Sequence, residues 1–240
     1  MQDLSWLSRT SLLIGEDALR LLTKKHVMII GLGGVGSFAA EFIARSGVGS
    51  MTIIDGDVVD PTNRNRQLPA LATNHGESKA LIMAERLRSI NPEIKLQVVN
   101  SFINPDMVAE QLAKKPDYIV DAIDSIQPKV NFLRQAFELQ LPMVSSMGAG
   151  GKMDPTQLQV VDISKTYNCH FAQQVRKNLK EHKIYKGIKV VFSPEVQDKE
   201  SLMMTDGNNF KKSAYGTMSY LPAVFGAVAA SVVIRDFIGK

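Results

Sequence analysis

Two short runs carry the residues with the most evident chemistry. "GLGGVG" spans residues 31–36, and "IIDGDVVDPTNRNRQ" spans residues 53–67. The second run places the acids Asp55 and Asp57 just ahead of Asn63, Arg66 and Gln67. A carboxylate at Asp55 suits ribose hydroxyls, and the guanidinium and amides that follow suit phosphate oxygens. Farther along stand Lys79 in "GESK" and Asp124 in "DAID". Adenylation needs such a set: a carboxylate attacks the α-phosphorus of ATP and pyrophosphate leaves. Two anions must meet, so fixed cations and a divalent metal must surround the triphosphate. Asp124 is the candidate ligand for Mg2+, which takes oxygen donors. Asp121, in the same run, would assist or simply pack.

The glycine run fits G-x-G-x-x-G. It follows the apolar "HVMIIG", opens the helical "SFAAEFIARSG" and precedes Asp55 at the end of the next strand. Gly31 would allow the tight turn, while Gly33 and Gly34 would let the backbone approach phosphate oxygens. Gly36 would let the helix pack on the sheet, with its N-terminal N–H groups facing an anion. By itself this motif favours NAD. Nothing after Asp55 resembles a hydride-transfer pair, however, and "TNRNRQ" has no evident use in a dinucleotide site. An NAD(P) oxidoreductase or a non-catalytic nucleotide-binding adaptor is the alternative from another class.

The elements that must position these residues alternate. After "HVMIIG" come "SMTIID", "ESKALIMAERLRSINP", "LQVVN", "PDMVAEQLAKK", "YIVDAID", "KVNFLRQAFELQ" and "PMVSSMG". Buried strands separated by helices of this length predict a doubly wound, mostly parallel, Rossmann-like α/β sheet. Residues 1–150 would form the ATP-binding region. Residues 151–240 would add a mixed strand and helix region for substrate and dimer contacts within the same continuous domain. There, "TQLQVVDIS" and "KVVFSPE" read as strands, with a lysine-rich stretch between them. The polar "DKESLMMTDGNNFKKSAYGTMS" reads as a mobile loop. "YLPAVFGAVAASVVIRDFI" approaches membrane-spanning length, but Pro222, Arg235 and Asp236 interrupt it. A buried or subunit-packing helix, without stable membrane insertion, is expected.

At 240 residues the chain can bury a substantial core, and a 45% hydrophobic, 22% charged composition is that of a soluble globular protein. A net charge of +4 leans modestly towards an acidic partner. The single cysteine, Cys169, excludes an internal disulfide and a zinc site of paired CxxC motifs. It fits a reducing compartment, and no apolar signal run opens the chain, so a cytoplasmic location is expected.

Taken together, "GLGGVG", Asp55 in "IIDGD", "TNRNRQ", Lys79 and "DAIDS" resemble the ubiquitin-activating-type adenylating superfamily. The resemblance implies that Asp55 binds ribose, that Asp124 binds Mg2+, and that Asn63, Arg66 and Lys79 surround the triphosphate of ATP. Arg9 in "RTSLLIG" would reach the phosphates across a homodimer. Most bacterial relatives charge the C-terminus of a small sulfur-carrier protein and bear two CxxC pairs, which this chain lacks. Adenylation of such a carrier, with a sulfur-transfer protein as partner, is the alternative within the same chemistry.

"SSMGAGGKMDPTQLQVVDISKT", "KVVFSPE" and "GTMSYLPAVFGAVAA" resemble one branch in particular, the tRNA threonylcarbamoyladenosine dehydratases. That branch implies a substrate: the threonylcarbamoyl group on the adenosine 3′ of the anticodon in tRNA. Its carboxylate would be adenylated, and an atom of its own carbamoyl group would close a ring and release AMP. The attacking atom is tethered, so no enzyme nucleophile is required, and Cys169 needs no acyl-carrying role. The basic stretch with Arg176, Lys177, Lys180 and Lys183 then gains a use on tRNA phosphates, with Tyr167, Phe171 and Tyr185 as stacking groups. Its alternative reading is a solvated helix face.

Overall fold

The computed structural model describes residues 3–204 and 213–240. Two short helices, α1 (Ser8–Ile14) and α2 (Glu16–Leu22), precede the first strand. The alternation then runs β1 (His26–Ile30), α3 (Gly36–Arg45), β2 (Ser50–Ile54), α4 (Lys79–Ile90), β3 (Lys95–Val99), α5 (Pro105–Leu112), β4 (Tyr118–Asp121), α6 (Ile126–Glu138) and β5 (Met143–Ser146). Beyond it lie β6 (Gln159–Asp162), α7 (His170–Glu181), β7 (Lys189–Phe192), a hairpin of β8 (Leu202–Met204) and β9 (Ser213–Tyr215), and α8 (Tyr220–Ile238).

Seven strands form one sheet in the order β3-β2-β1-β4-β5-β7-β6, parallel except for β6 against β7. Strands from both the first 150 residues and the remainder therefore share the sheet. Alternate residues of each strand serve opposite faces. Val27, Ile29 and Val120 pack under α3, α4 and α8, while Met28, Ile30 and Ile119 pack under α5, α6 and α7. Both faces are covered, which is why these strands read as unbroken apolar runs.

Local chemistry sets the helix starts. Ser78 accepts from Leu81 N–H to begin α4, and Asn104 accepts from Met107 N–H ahead of Pro105 in α5. α8 ends at Gly239, whose φ of 69° is left-handed. This helix has a mean hydropathy of 1.8, yet it lies in the protein layer against α3, burying Leu221, Phe225, Ala229 and Val233.

Two expectations change. The stretch read as a mobile loop contains the β8–β9 hairpin, and its central part, 205–212, lies outside the described residues. The strand expected to reach Asp124 stops at Asp121, because the next residues turn across the end of β1. There Ala122 N–H donates to Ile30 O at 2.9 Å.

Candidate active site

The loops after β1, β2 and β4 meet at the carboxyl ends of the strands, where ligands of doubly wound sheets sit. Gly31 has φ 85°, and a Cβ there would lie 2.8 Å from Ala122 O, so glycine is needed for the turn. A Cβ on Gly36 would strike Gly31 O at 1.8 Å, which explains that glycine by close packing of α3 on the turn. Gly34 also has a packing reason. Its Cβ would lie 2.9 Å from Pro222 Cβ of α8 and 3.2 Å from Arg66 O. Gly33 differs: a Cβ would meet only Gln67 Nε2, at 3.7 Å, an ordinary contact. Nothing among the described residues demands glycine at that position.

Asp55, just past β2, holds the glycine loop. Its carboxylate accepts Leu32 N–H at 2.6 Å and Asp57 N–H at 2.7 Å. Burial pushes its pKa up, against the pull of those two N–H groups and of Lys79. Asp57 in turn meets Lys79, Nζ to Oδ2 at 3.1 Å, while Lys79 N–H donates to Asp57 O at 3.1 Å. A bridge between Val58 and Ser78 sets this register, bringing the start of α4 to the end of β2. Lys79 is thereby buried with its ammonium at the site rather than in solvent.

The "TNRNRQ" run forms a 3₁₀ turn, Pro61–Asn65. Asn63 is buried in a reciprocal cap, its side-chain oxygen accepting Asp60 N–H at 3.2 Å. Arg66 is half-buried and donates to Thr62 O and Asn65 Oδ1. The side-chain amide of Gln67 turns its Nε2 towards Gly33, and its buried Oε1 has no hydrogen-bond partner among the described residues. A buried acceptor left unfilled beside a glycine with room above it fits a ligand that supplies a donor there.

Asp124 is exposed in the loop between β4 and α6, two residues beyond the Ala122 that touches Gly31. No cluster of three or more His, Cys, Asp and Glu suited to a metal occurs among the described residues. One carboxylate at Asp124 would fit Mg2+, which uses one or two carboxylates and takes its other ligands from phosphates and water.

The other sequence candidates are not gathered here. Arg9 is exposed on α1, which packs chiefly on α2 and the 3₁₀ turn before it. Arg176 turns inward, donating to Thr166 O at 2.9 Å and to the Thr166 hydroxyl. Lys177 and Lys180 are exposed along α7, whose first turn sets Phe171 against Gly148 just past β5. Lys183 instead lines a cavity of about 660 Å³ with Tyr118, Pro142 and Met143, at the opposite end of the strands.

Three buried groups escaped sequence reasoning. Lys129 pairs with Asp121, and Ser145 donates to the same carboxylate. Lys152 donates to Ser193 O, with Cys169 within electrostatic reach. Burial pushes the Lys152 ammonium down in pKa, opposed by Cys169 and Glu195.

A glycine loop held by an acid, a buried lysine and a second acid on the neighbouring loop define a nucleotide-handling site of adenylating type. The protein belongs to the ThiF family, whose model matches residues 7–240. Within it the chain falls among the tRNA threonylcarbamoyladenosine dehydratases. It is 39% identical to that enzyme of Escherichia coli, over 96% of this chain and 92% of the relative. It is 37% identical to that of Bacillus subtilis, over 96% and 94%. The solved E. coli dehydratase in complex with ATP superposes with a TM-score of 0.90 at 39% identity, covering 99% of this chain and 95% of that one.

Proposed function

We propose that the chain catalyses ATP-dependent dehydration of N6-threonylcarbamoyladenosine next to the anticodon of tRNA, closing its side chain into a ring. The observation that carries this reading is the convergence of the glycine loop, buried Lys79 and the Asp124 loop at one end of the sheet, in a chain of dehydratase type throughout its length.

ATP lies over Gly33, with its ribose hydroxyls on Asp55 and a donor to the empty acceptor of Gln67. Lys79 turns from Asp57 to the phosphates, joined by Arg66 and by Asn63 of the adjoining turn. Asp124 would hold Mg2+, which when bound would supply charge neutralisation at the phosphates and so lower the repulsion an incoming carboxylate meets. The threonyl carboxylate attacks the α-phosphorus, the bond to the bridging oxygen breaks, and pyrophosphate leaves with the electron pair. A carbamoyl atom of the same side chain then attacks the activated carbonyl carbon and gives up its proton. The bond to the AMP oxygen breaks and the ring is closed. Holding the two ends of one side chain together replaces an enzyme nucleophile.

A second copy of the chain completes the site. α1 buries none of its own residues, and Leu12 and Leu13 are 89% and 80% exposed. An apolar face this open is suited to cover by a homodimer, in which Arg9 of each chain reaches the triphosphate held by the other. tRNA approaches along α7 through Lys177 and Lys180, in the cytoplasm. Ring closure involves no sulfur, so a sulfur-transfer protein would be a partner outside the reaction itself.

The test is product release. AMP and pyrophosphate should appear only when tRNA carrying threonylcarbamoyladenosine is present. Release driven by a small carrier protein, with that tRNA ignored, would replace the substrate but keep adenylation. Thermal stabilisation by NADH and not by Mg-ATP would remove adenylation as well.

A further inference from the structure

We propose that Lys129 is the positioning residue for Asp124, acting through Asp121 and the main chain of Ile123. The proposal rests on Asp124 holding the metal with ATP.

Lys129 lies in the first turns of α6 and Asp121 ends β4. Both side chains are 0% exposed, with Nζ and Oδ2 2.7 Å apart. A buried ion pair is tolerated when its remaining hydrogen-bonding capacity is filled. Here much of it is filled by the loop that bears Asp124. Asp121 Oδ1 accepts Ile123 N–H at 3.0 Å, and Oδ2 also accepts the Ser145 hydroxyl at 2.6 Å. From the other side, Lys129 Nζ donates to Ile123 O at 2.9 Å, while it lies 5.6 Å from the centre of the Phe171 ring.

Ile123 is thus held at both of its peptide groups. Its carbonyl shares one planar unit with the Asp124 N–H, so the ammonium fixes the plane from which the Asp124 side chain departs. The Asp124 carboxylate is itself within electrostatic reach of Lys129. A packing role alone would need no charge. The neighbours Val130, Leu133 and Met147 form an apolar cluster that a methionine at 129 would join. Retaining a cation in a fully buried place, with one contact to an acid and one to the backbone beside Asp124, is accounted for by control of that loop.

The experiment compares ATP binding calorimetrically with and without Mg2+ in the full-length protein. Removing Lys129 alone would strand a buried carboxylate, so the variant is the double change Lys129→Met with Asp121→Asn, which removes both charges together. Asp124→Ala is the reference. The proposal expects both variants to bind ATP as the parent does in EDTA. With the metal, both should need at least about tenfold more Mg2+ for half-maximal gain in affinity. Lys129→Arg, which keeps a donor and the charge, should recover most of the loss. If Asp124→Ala shifts the Mg2+ requirement and the double variant does not, positioning by Lys129 is wrong. If Asp124→Ala shifts nothing, the metal reading itself is wrong and takes this proposal with it. Should the double variant not fold, nitrogen-15 NMR of the native chain decides. Adding Mg2+ to the ATP complex should move the Lys129 ammonium and Asp124 amide signals together, and movement of the amide alone overturns the proposal.

Discussion

Lys79 and Asp57 face one another across 3.1 Å beside the glycine loop, the lysine side chain 5% exposed and the aspartate 41%. The aspartate keeps access to water, so it can release the ammonium when a phosphate arrives. Lys79→Met should therefore change the melting temperature of nucleotide-free protein little, since a pair with one wet partner is worth about 1 kcal/mol or less. The stabilisation that ATP confers should be lost, and KM for ATP should rise by about tenfold or more. Thermal melting with and without ATP checks the first part, and steady-state kinetics the second.

The two central glycines should separate fold from ligand. Gly34→Ala drives a methyl group to 2.9 Å from Pro222 Cβ and should destabilise the protein by about 1–3 kcal/mol. Gly33→Ala meets nothing closer than 3.7 Å and should leave the unfolding midpoint in place. If the triphosphate lies over Gly33, the same change should abolish ATP binding. Denaturant titration alongside calorimetry distinguishes the two variants.

Cys169 is buried at the start of α7 beside Lys152, not at the glycine loop. Cys169→Ser should keep turnover within about twofold, because a tethered carbamoyl atom makes an acyl-carrying thiol unnecessary. A folded Cys169→Ser protein that formed the acyl-adenylate yet released no ring would overturn that assignment.

Stability should fall in acid partly through Asp236. Burial raises its pKa, but Lys189, at 2.5 Å, and the Tyr118 hydroxyl, at 2.6 Å, lower it on balance. A carboxylate with a depressed folded pKa stabilises fully above the unfolded value of about 3.9 and loses that contribution as the pH drops through the folded value. Asp236→Asn should be less stable than the parent at pH 7, by about 1 kcal/mol or less for a pair this exposed. The two proteins should converge as the pH falls below the folded value. Denaturant unfolding at pH 7 and through the acid range measures the difference.

The lysines on and just after α7 should not be equivalent. Lys177→Ala with Lys180→Ala should weaken tRNA binding and lower its salt slope by about one to two. Lys183→Ala, at the far end of the strands, should change neither. Binding titrations over a range of salt check this.

The parallel sheet was legible because strands buried on both faces are written as apolar runs, and the helices between them carry their own start signals, such as Ser78 and Asn104. Asp55 and Lys79 were legible for a related reason: each lies at the junction of a strand or helix with the loop it serves. Lys129 was not. In "KVNFLRQAFELQ" it looks like a solvated helix residue, and only neighbours from other elements bury it, namely Asp121 of β4, Phe171 of α7 and the end of β5 with Ser145. The β8–β9 hairpin escaped because each strand is three residues long, too short for an alternating pattern to show. The packing constraint on Gly34 was not legible, because Pro222 lies nearly two hundred positions away.

The most direct measurement is mass spectrometry of nucleosides digested from tRNA after incubation with the protein and ATP. Threonylcarbamoyladenosine should lose the mass of one water in step with AMP formation. ATP turnover on that tRNA with the nucleoside mass unchanged would contradict the account.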